Sequence, residues 1–172
     1  MFSGKTTFLS KELAKEEKSL YINHNIDNRG ELFYSHDPTV SFTSIDCIKT
    51  SDLTDDLVEN YDFIGIDEAQ FFKNLKTSVL HWVEDLKKNV YVVGLNCDYK
   101  REKFGEIIDL VTVADSVKII HSTCSSCKQN SLFSHRNNDE KDQIVIGKSE
   151  YVPLCRSCFT KSFHKIVSQI KL

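Results

Sequence analysis

Three groups of residues in this 172-residue chain have types and spacings that can carry chemistry. The first is the stretch Phe63-Ile64-Gly65-Ile66-Asp67-Glu68-Ala69-Gln70-Phe71-Phe72, where four mostly apolar residues run into two adjacent carboxylates and then a helical pattern. A buried parallel strand ends this way when its carboxyl edge carries chemistry. A strand tip can hold a divalent cation with one carboxylate and leave the next as a base, because successive side chains diverge. The alternative is that Asp67 and Glu68 simply open the following helix, where acidic residues suit the helix dipole.

The second group is Gly4-Lys5-Thr6, at the start of a helical pattern running through Phe8, Leu9 and Leu13. This is the back half of a phosphate-binding loop: amides cradle the phosphates, the lysine reaches the outer ones, and the threonine hydroxyl binds magnesium. The full pattern G-x-x-x-x-G-K-[ST] needs a glycine five residues before Gly4, and the chain starts three before it, without the strand that leads into such a loop. The expectation is that the sequence begins late or that the loop is a decayed copy. A chance helix start remains the alternative for the tripeptide by itself.

The third group is cysteine. Four of the six cysteines form two Cys-x-x-Cys pairs, Cys124/Cys127 and Cys155/Cys158. Each pair can make a knuckle presenting two thiolates to one tetrahedral ion, with zinc expected. Four thiolates close the coordination shell to water, so the zinc is structural. The 27 residues between the pairs leave room for a loop to depart from the site and return. His121 lies close to Cys124, but four cysteines already satisfy the ion; Cys47 and Cys97 read as plain thiols.

The elements that must position these groups follow from periodicity. Ser19 to His24 reads as a strand, residues 30–39 as a loop, and Phe42 to Ile48 as a short strand. Helical spacing of Leu53, Leu57, Val58 and Tyr61 predicts a helix over 51–61. The stretch ending at Asp67 is the central strand. Phe72, Leu75, Val79, Trp82, Val83 and Leu86 give the clearest amphipathic helix, ended by Asn89. Val90 to Leu95 is a further buried strand, and strand, helix, strand in this order implies a right-handed crossover and a parallel sheet. Ile107, Ile108 and Leu110 suggest a short helical piece, and Val117 to Ile120 one more strand. The expected domains are an α/β core over 1–121 and a zinc domain over 122–172, closed by a helix through Phe159, Phe163, Ile166, Val167 and Ile170.

Charged residues make up 27% and hydrophobic ones 40%, with two prolines, which marks neither disorder nor a fibrous protein. No apolar run matches a membrane span, and the first residues lack the blocks of a signal peptide, so an intracellular, cytoplasmic protein is expected. Residues 1–121 carry 14 Lys and Arg against 21 Asp and Glu, while residues 122–172 carry 8 against 4. With no basic block, the positive end reads as a solvated surface, and nucleic acid is not the expected partner.

Taken together, Met-Phe-Ser-Gly-Lys-Thr, Ile-Asp-Glu-Ala-Gln-Phe-Phe, Phe-Gly at 104–105, the two knuckles, and Val-Ile-Gly followed by Tyr151 resemble the type II thymidine kinases, the cellular, bacterial and poxviral group. The resemblance spans essentially the whole chain. It implies a P-loop NTPase-like α/β fold with a parallel sheet, helices on both faces, and a small C-terminal zinc-ribbon or lasso domain. It further implies magnesium-dependent transfer of the terminal phosphoryl group of ATP to the 5′-hydroxyl of thymidine, for nucleotide salvage, by a homotetramer.

By resemblance, Glu68 is the catalytic base, and Ser3, Gly4, Lys5, Thr6, Asp67, Gln70, Asp27 and Arg29 handle ATP and magnesium. Met1, Phe71, Leu95, Tyr99, Phe104, Ser134, Val145 and Tyr151 match nucleoside-contacting positions. In the family, the segment between the knuckles, here Lys128 to Leu154, forms a lasso over the nucleoside that reads the pyrimidine edge largely through backbone groups. Asn96 stands where aspartate is frequent and Tyr99 where phenylalanine is. Three other readings compete: a catalytically inactive family member with an incomplete phosphate loop, a different P-loop nucleoside or nucleotide kinase, and a zinc-ribbon module that binds nucleic acid.

Overall fold

A computed structural model describes residues 2–27, 45–138, 142–145 and 150–162. Met1, Arg29, the loop over 30–39, the start of the strand expected from Phe42, and the closing helix from Phe163 onward lie outside the described residues. The chain divides into two compact units. One comprises residues 4–96 and 103–117; the other comprises 1–3, 97–102 and 118–172.

The first unit is a four-stranded parallel sheet with a helix on each face. Strands β1 (Ser19–His24), β2 (Asp46–Thr50), β3 (Phe63–Ile66) and β4 (Asn89–Val92) lie in the order β2-β1-β3-β4. Residues on successive positions of a strand point to opposite faces, and the sequence uses both. Leu20, Ile22, Ile64 and Ile66 pack with Val79 and Trp82 of α2 (Leu75–Glu84), joined by Ile48, Val90 and Val92. Tyr21, Val93, Phe63, Tyr91 and Cys47 pack with Leu9 and Leu13 of α1 (Lys5–Leu13) on the other face. Strands covered on both sides carry apolar residues on both faces, which is why stretches such as Leu20–Ile22 and Val90–Val92 read as short unbroken runs. The expected parallel sheet with helices on both faces is thus present. Gly65 sets how closely α1 approaches, since a Cβ there would stand 2.5 Å from Leu13 Cδ1 and 2.9 Å from Leu9 Cδ1.

Three local expectations fail for identifiable reasons. The helix over 51–61 is a single 3-10 turn, Asp55–Leu57, although Leu53 and Val58 are buried. The Leu53 carbonyl that would accept the Leu57 amide in an α-helix instead accepts from Asn74 Nδ2 (3.0 Å) and Ser78 Oγ (3.1 Å), while the Leu57 amide turns to Thr54 (3.3 Å). The helix expected from Phe72 begins at Leu75 and ends at Glu84; Phe72 is buried in extended conformation and Asn89 already belongs to β4. Burial of Phe72 mimicked a helical position. Residues 117–120 pair with no strand among the described residues, and Val117 (56%) and Ile119 (74%) are exposed. A short apolar run meets the strand pattern without finding a ladder.

The second unit is built from two small antiparallel pairs. Strand β5 (Ser122–Thr123) pairs with β6 (Asn130–Ser131), and β7 (Phe133–Arg136) with β8 (Tyr151–Leu154). Residues 156–162 are helical. Among the described residues its core comprises Cys124, Leu154 and Phe159, with Phe133 and Val152 against them.

Candidate functional site

The end of β3 and the start of α1 meet in the first unit. Gly4 sits at φ +76°, a left-handed conformation natural to glycine, and precedes the first turn of α1. A Cβ at Gly4 would meet nothing within 4 Å, so conformation and not space selects glycine there. Within the first turn of the helix, Thr6 Oγ1 donates a 2.6 Å hydrogen bond to Asp67 Oδ2 across 61 residues of sequence. The buried Tyr21 hydroxyl donates to the same oxygen at 2.6 Å, and the Glu68 amide to Asp67 Oδ1 at 2.7 Å.

Asp67 is 2% exposed. Burial raises its carboxyl above the usual carboxylate range, with the neighbouring Glu68 charge adding to this, while the Thr6, Tyr21 and backbone donors pull it partly back. The same burial, together with the Asp67 charge, raises the Tyr21 phenol, so it stays a donor. Asp67 and Thr6 together offer the oxygen ligands that suit magnesium. The chemistry of this donor set fits the ion.

Glu68 does not open a regular helix. It takes the left-handed region (φ 48°, ψ 38°), uncommon for a residue with a side chain, and starts the 3-10 turn Ala69–Phe71. This turns the chain off the sheet directly after Asp67, with Glu68 at the N-cap of that turn. Glu68 Oε2 accepts from Gln70 Nε2 at 2.7 Å, and Gln70 Oε1 accepts from the Leu95 amide at 2.9 Å. Phe71 packs edge-on against Phe104, with ring centroids 5.5 Å apart. His24, for which the sequence offered no partner pattern, packs on Phe71 (5.6 Å) and Phe72 (4.8 Å), and burial lowers its pKa. Asp27 accepts from Asn23 Nδ2 at 3.0 Å through its carboxylate and from Lys49 Nζ at 2.8 Å through its carbonyl.

The second unit holds Ser3, Tyr99, Ser134, Val145, Tyr151 and the four cysteines. The four sulfur atoms all lie within 4.8 Å of one another, with Cys127 and Cys155 at 3.5 Å. Zinc–sulfur bonds of about 2.3 Å in a tetrahedron place sulfurs about 3.8 Å apart, so the donor set fits zinc. Burial opposes ionisation of Cys124, but the amides of Cys155, Cys127 and Ser126 outweigh it and bring the thiol down to about 6. The β5–β6 hairpin supplies the first knuckle, closed by the Cys124 amide on the Gln129 carbonyl at 2.7 Å.

Within the same unit, Tyr99 and Tyr151 flank a residue that sequence reasoning missed. Arg136, 5% exposed, stands 3.7 Å over the Tyr99 ring and 5.0 Å from the Tyr151 ring. It donates to the Tyr151 hydroxyl and to the carbonyls of Asp142 and Gln143, the last at 3.1 Å. Gln143 in turn reaches Asp98 Oδ2 at 2.9 Å. Ser134 is buried and Val145 half-buried. An arginine in a short polar strand carries no sequence signal for such a hub. Tyr21 likewise read only as strand core.

A family model described as thymidine kinase matches residues 1–159 of the chain. A thymidine kinase of Amsacta moorei entomopoxvirus is 36% identical over 173 residues, covering 95% of each chain. A thymidine kinase of Bacteroides fragilis is 31% identical, covering 96% of this chain and 85% of its own. Thymidine kinase a of Arabidopsis thaliana is 32% identical, covering 91% of this chain and 70% of its own.

Proposed function

The chain belongs to the thymidine kinase family, and on that premise we propose that it transfers the γ-phosphoryl group of ATP to the 5′-hydroxyl of thymidine. The observation that carries this reading is the 2.6 Å contact of Thr6 Oγ1 with Asp67 Oδ2, which joins the Gly-Lys-Thr helix start to the acidic strand end. Phosphoryl transfer asks mainly for positioning and charge neutralisation, and these two elements supply both.

Ser3, Gly4 and Lys5 bind the ATP phosphates, with the amides at the start of α1 and the lysine facing their charge. Thr6 and Asp67 hold the magnesium, directly or through water, and Asp27 and Arg29 complete the polar surround. When bound, the ion neutralises charge on the phosphates. Glu68 takes the proton of the 5′-hydroxyl as its oxygen bonds to the γ-phosphorus and the β–γ bridging oxygen leaves with ADP. Phe71, Leu95 and Phe104 from the core domain (1–121), and Tyr99, Ser134, Val145 and Tyr151, contact the nucleoside, as does Met1. The lasso domain (122–172) is held by zinc on its four cysteines, whose clustering supports a structural ion. A homotetramer in the cytoplasm follows the family pattern; no helix among the described residues is long and apolar enough to cross a membrane.

The test is phosphorylation of thymidine by the zinc-loaded chain with ATP and magnesium, beside an extended chain carrying an added N-terminal strand and a full phosphate loop. Turnover by either supports the assignment, and a gain on extension shows what the loop contributes. No nucleoside phosphorylated by either, with zinc bound and the fold intact, would favour the inactive-member reading. Within an active chain, Glu68→Gln is expected to cut kcat by roughly two or more orders of magnitude. Near-normal turnover in that variant removes Glu68 from the role of base.

A further inference from the structure

Gln70 is 4% exposed, and both ends of its side-chain amide are committed inside the protein. Nε2 donates to Glu68 Oε2 at 2.7 Å and Oε1 accepts from the Leu95 amide at 2.9 Å. Reversing the amide would set NH2 against the Leu95 N–H and a carbonyl against a carboxylate, so this orientation is the one both partners accept. Two glycines let other segments close around it. A Cβ on Gly94 would stand 2.6 Å from Gln70 Oε1, and one on Gly105, itself at φ +62°, would stand 2.2 Å from the Gln70 carbonyl oxygen.

Backbone from two different loops therefore presses on one glutamine, whose only charged partner among these contacts is Glu68. Glu68 itself holds a left-handed conformation at φ 48° that its own side chain does not favour. The neighbouring Asp67 gets its donors from elsewhere, namely Thr6, Tyr21 and the Glu68 amide.

We infer that Gln70 is a positioning residue for the proton transfer: it fixes the Glu68 carboxylate in one orientation and ties it to the backbone at Leu95, the position assigned to the nucleoside wall. This rests on the reading of Glu68 as the base. It sets Gln70 apart from the magnesium set, because the amide oxygen that would face a cation is turned to the Leu95 N–H. One glutamine then links the base to a backbone position assigned to the nucleoside pocket. Displacements of about an ångström in such a link cost on the order of a hundredfold in rate.

The discriminating variant is Gln70→Glu, which keeps the volume and an acceptor for Leu95 but replaces the donor facing Glu68 by a carboxylate oxygen. Gln70→Met, which removes both hydrogen bonds without adding charge, is the second variant and carries the same expectation should the first not fold. With zinc content and melting temperature as folding controls, kcat is expected to fall about 10- to 100-fold, with KM for thymidine and ATP within about twofold. The magnesium dependence of turnover stays where it was. In a Glu68→Gln background either change adds less than about twofold further loss, because the group it positions is already gone.

A Gln70 variant with unchanged kcat beside an impaired Glu68→Gln overturns the positioning role and leaves the base reading standing. Losses that multiply in the double variant, or a raised magnesium requirement, overturn it as well, since Gln70 would then act apart from Glu68. Near-normal turnover by Glu68→Gln instead removes the reading on which the inference rests.

Discussion

Removing one hydroxyl, by Tyr21→Phe, probes how the acidic strand end is held. Tyr21 lies opposite Gly65 in the β1–β3 register, and Gly65 shares its face of the sheet with Asp67. With no side chain at 65 in the way, the phenol reaches Asp67 Oδ2 at 2.6 Å. The variant keeps the ring in the α1-facing core and deletes one of three donors to a buried carboxylate. Hydrogen bonds to charged groups are worth about 1.5–3 kcal/mol, which for a protein of this size lowers the melting temperature by roughly 3–12 °C.

The pH dependence carries a definite sign. Burial raises the Asp67 carboxyl above its ordinary value, so the folded state binds a proton more readily than the unfolded one, and this group favours folding increasingly as pH falls through its folded pKa. Deleting the Tyr21 donor raises that pKa further. The gap between the two proteins is therefore largest where Asp67 is ionised and narrows as Asp67 becomes protonated in both. Thermal melts of the zinc-loaded proteins in magnesium-free buffer, across the pH range in which both stay folded, measure it. Equal melting temperatures at every pH, or a gap that widens on acidification, would refute the argument that the phenol stabilises the ionised form.

Three further outcomes are expected. Cys127→Ser should lose most of the zinc held by the unaltered chain, about one ion per chain by metal analysis; retention of full zinc would move the site elsewhere. Gly65→Ala forces a methyl into contact with Leu9 and Leu13, and should cost about 1–3 kcal/mol of stability in denaturant titrations, unlike an alanine at an open position. His81 Nδ1–H donates to Asp85 Oδ2 at 2.7 Å, and His81 Nε2 lies 3.3 Å from Asp55 Oδ2; the Asp85 hydrogen bond raises its pKa, burial opposes this, and the Asp55 charge adds to the rise. Its contribution is present below its ordinary value near 6.5 and lost as pH rises through the raised one, so His81→Gln should flatten the fall in stability as pH rises above that ordinary value in melting experiments.

Much of the frame was legible because burial leaves a local trace. Ser19–His24 carries apolar residues on both faces, and the structure gives a strand with those bounds. Paired cysteines announced a cysteine cluster able to hold a metal, because thiolate ligands come in short loops whose spacing survives in sequence. Where the reading failed, the deciding partner was distant: Asn74 and Ser78 take the Leu53 carbonyl, and a helix over 51–61 shrinks to one turn. Phe72 was counted into a helix because burial alone does not say which element buries a side chain.

By itself, the sequence determined which residues are apolar at what period, which thiols and carboxylates lie side by side, and hence the parallel α/β core, the cysteine cluster and the adjacent Asp67 and Glu68 at a strand end. Only the tertiary structure decided who meets whom: Thr6 and Tyr21 at Asp67, Gln70 between Glu68 and Leu95, and Arg136 over Tyr99. The physical reason is one of range. Periodicity is written within a few residues and fixes faces, whereas a hydrogen bond across 61 or 46 residues exists only once sheet register and helix packing set its two ends about 2.6 Å apart.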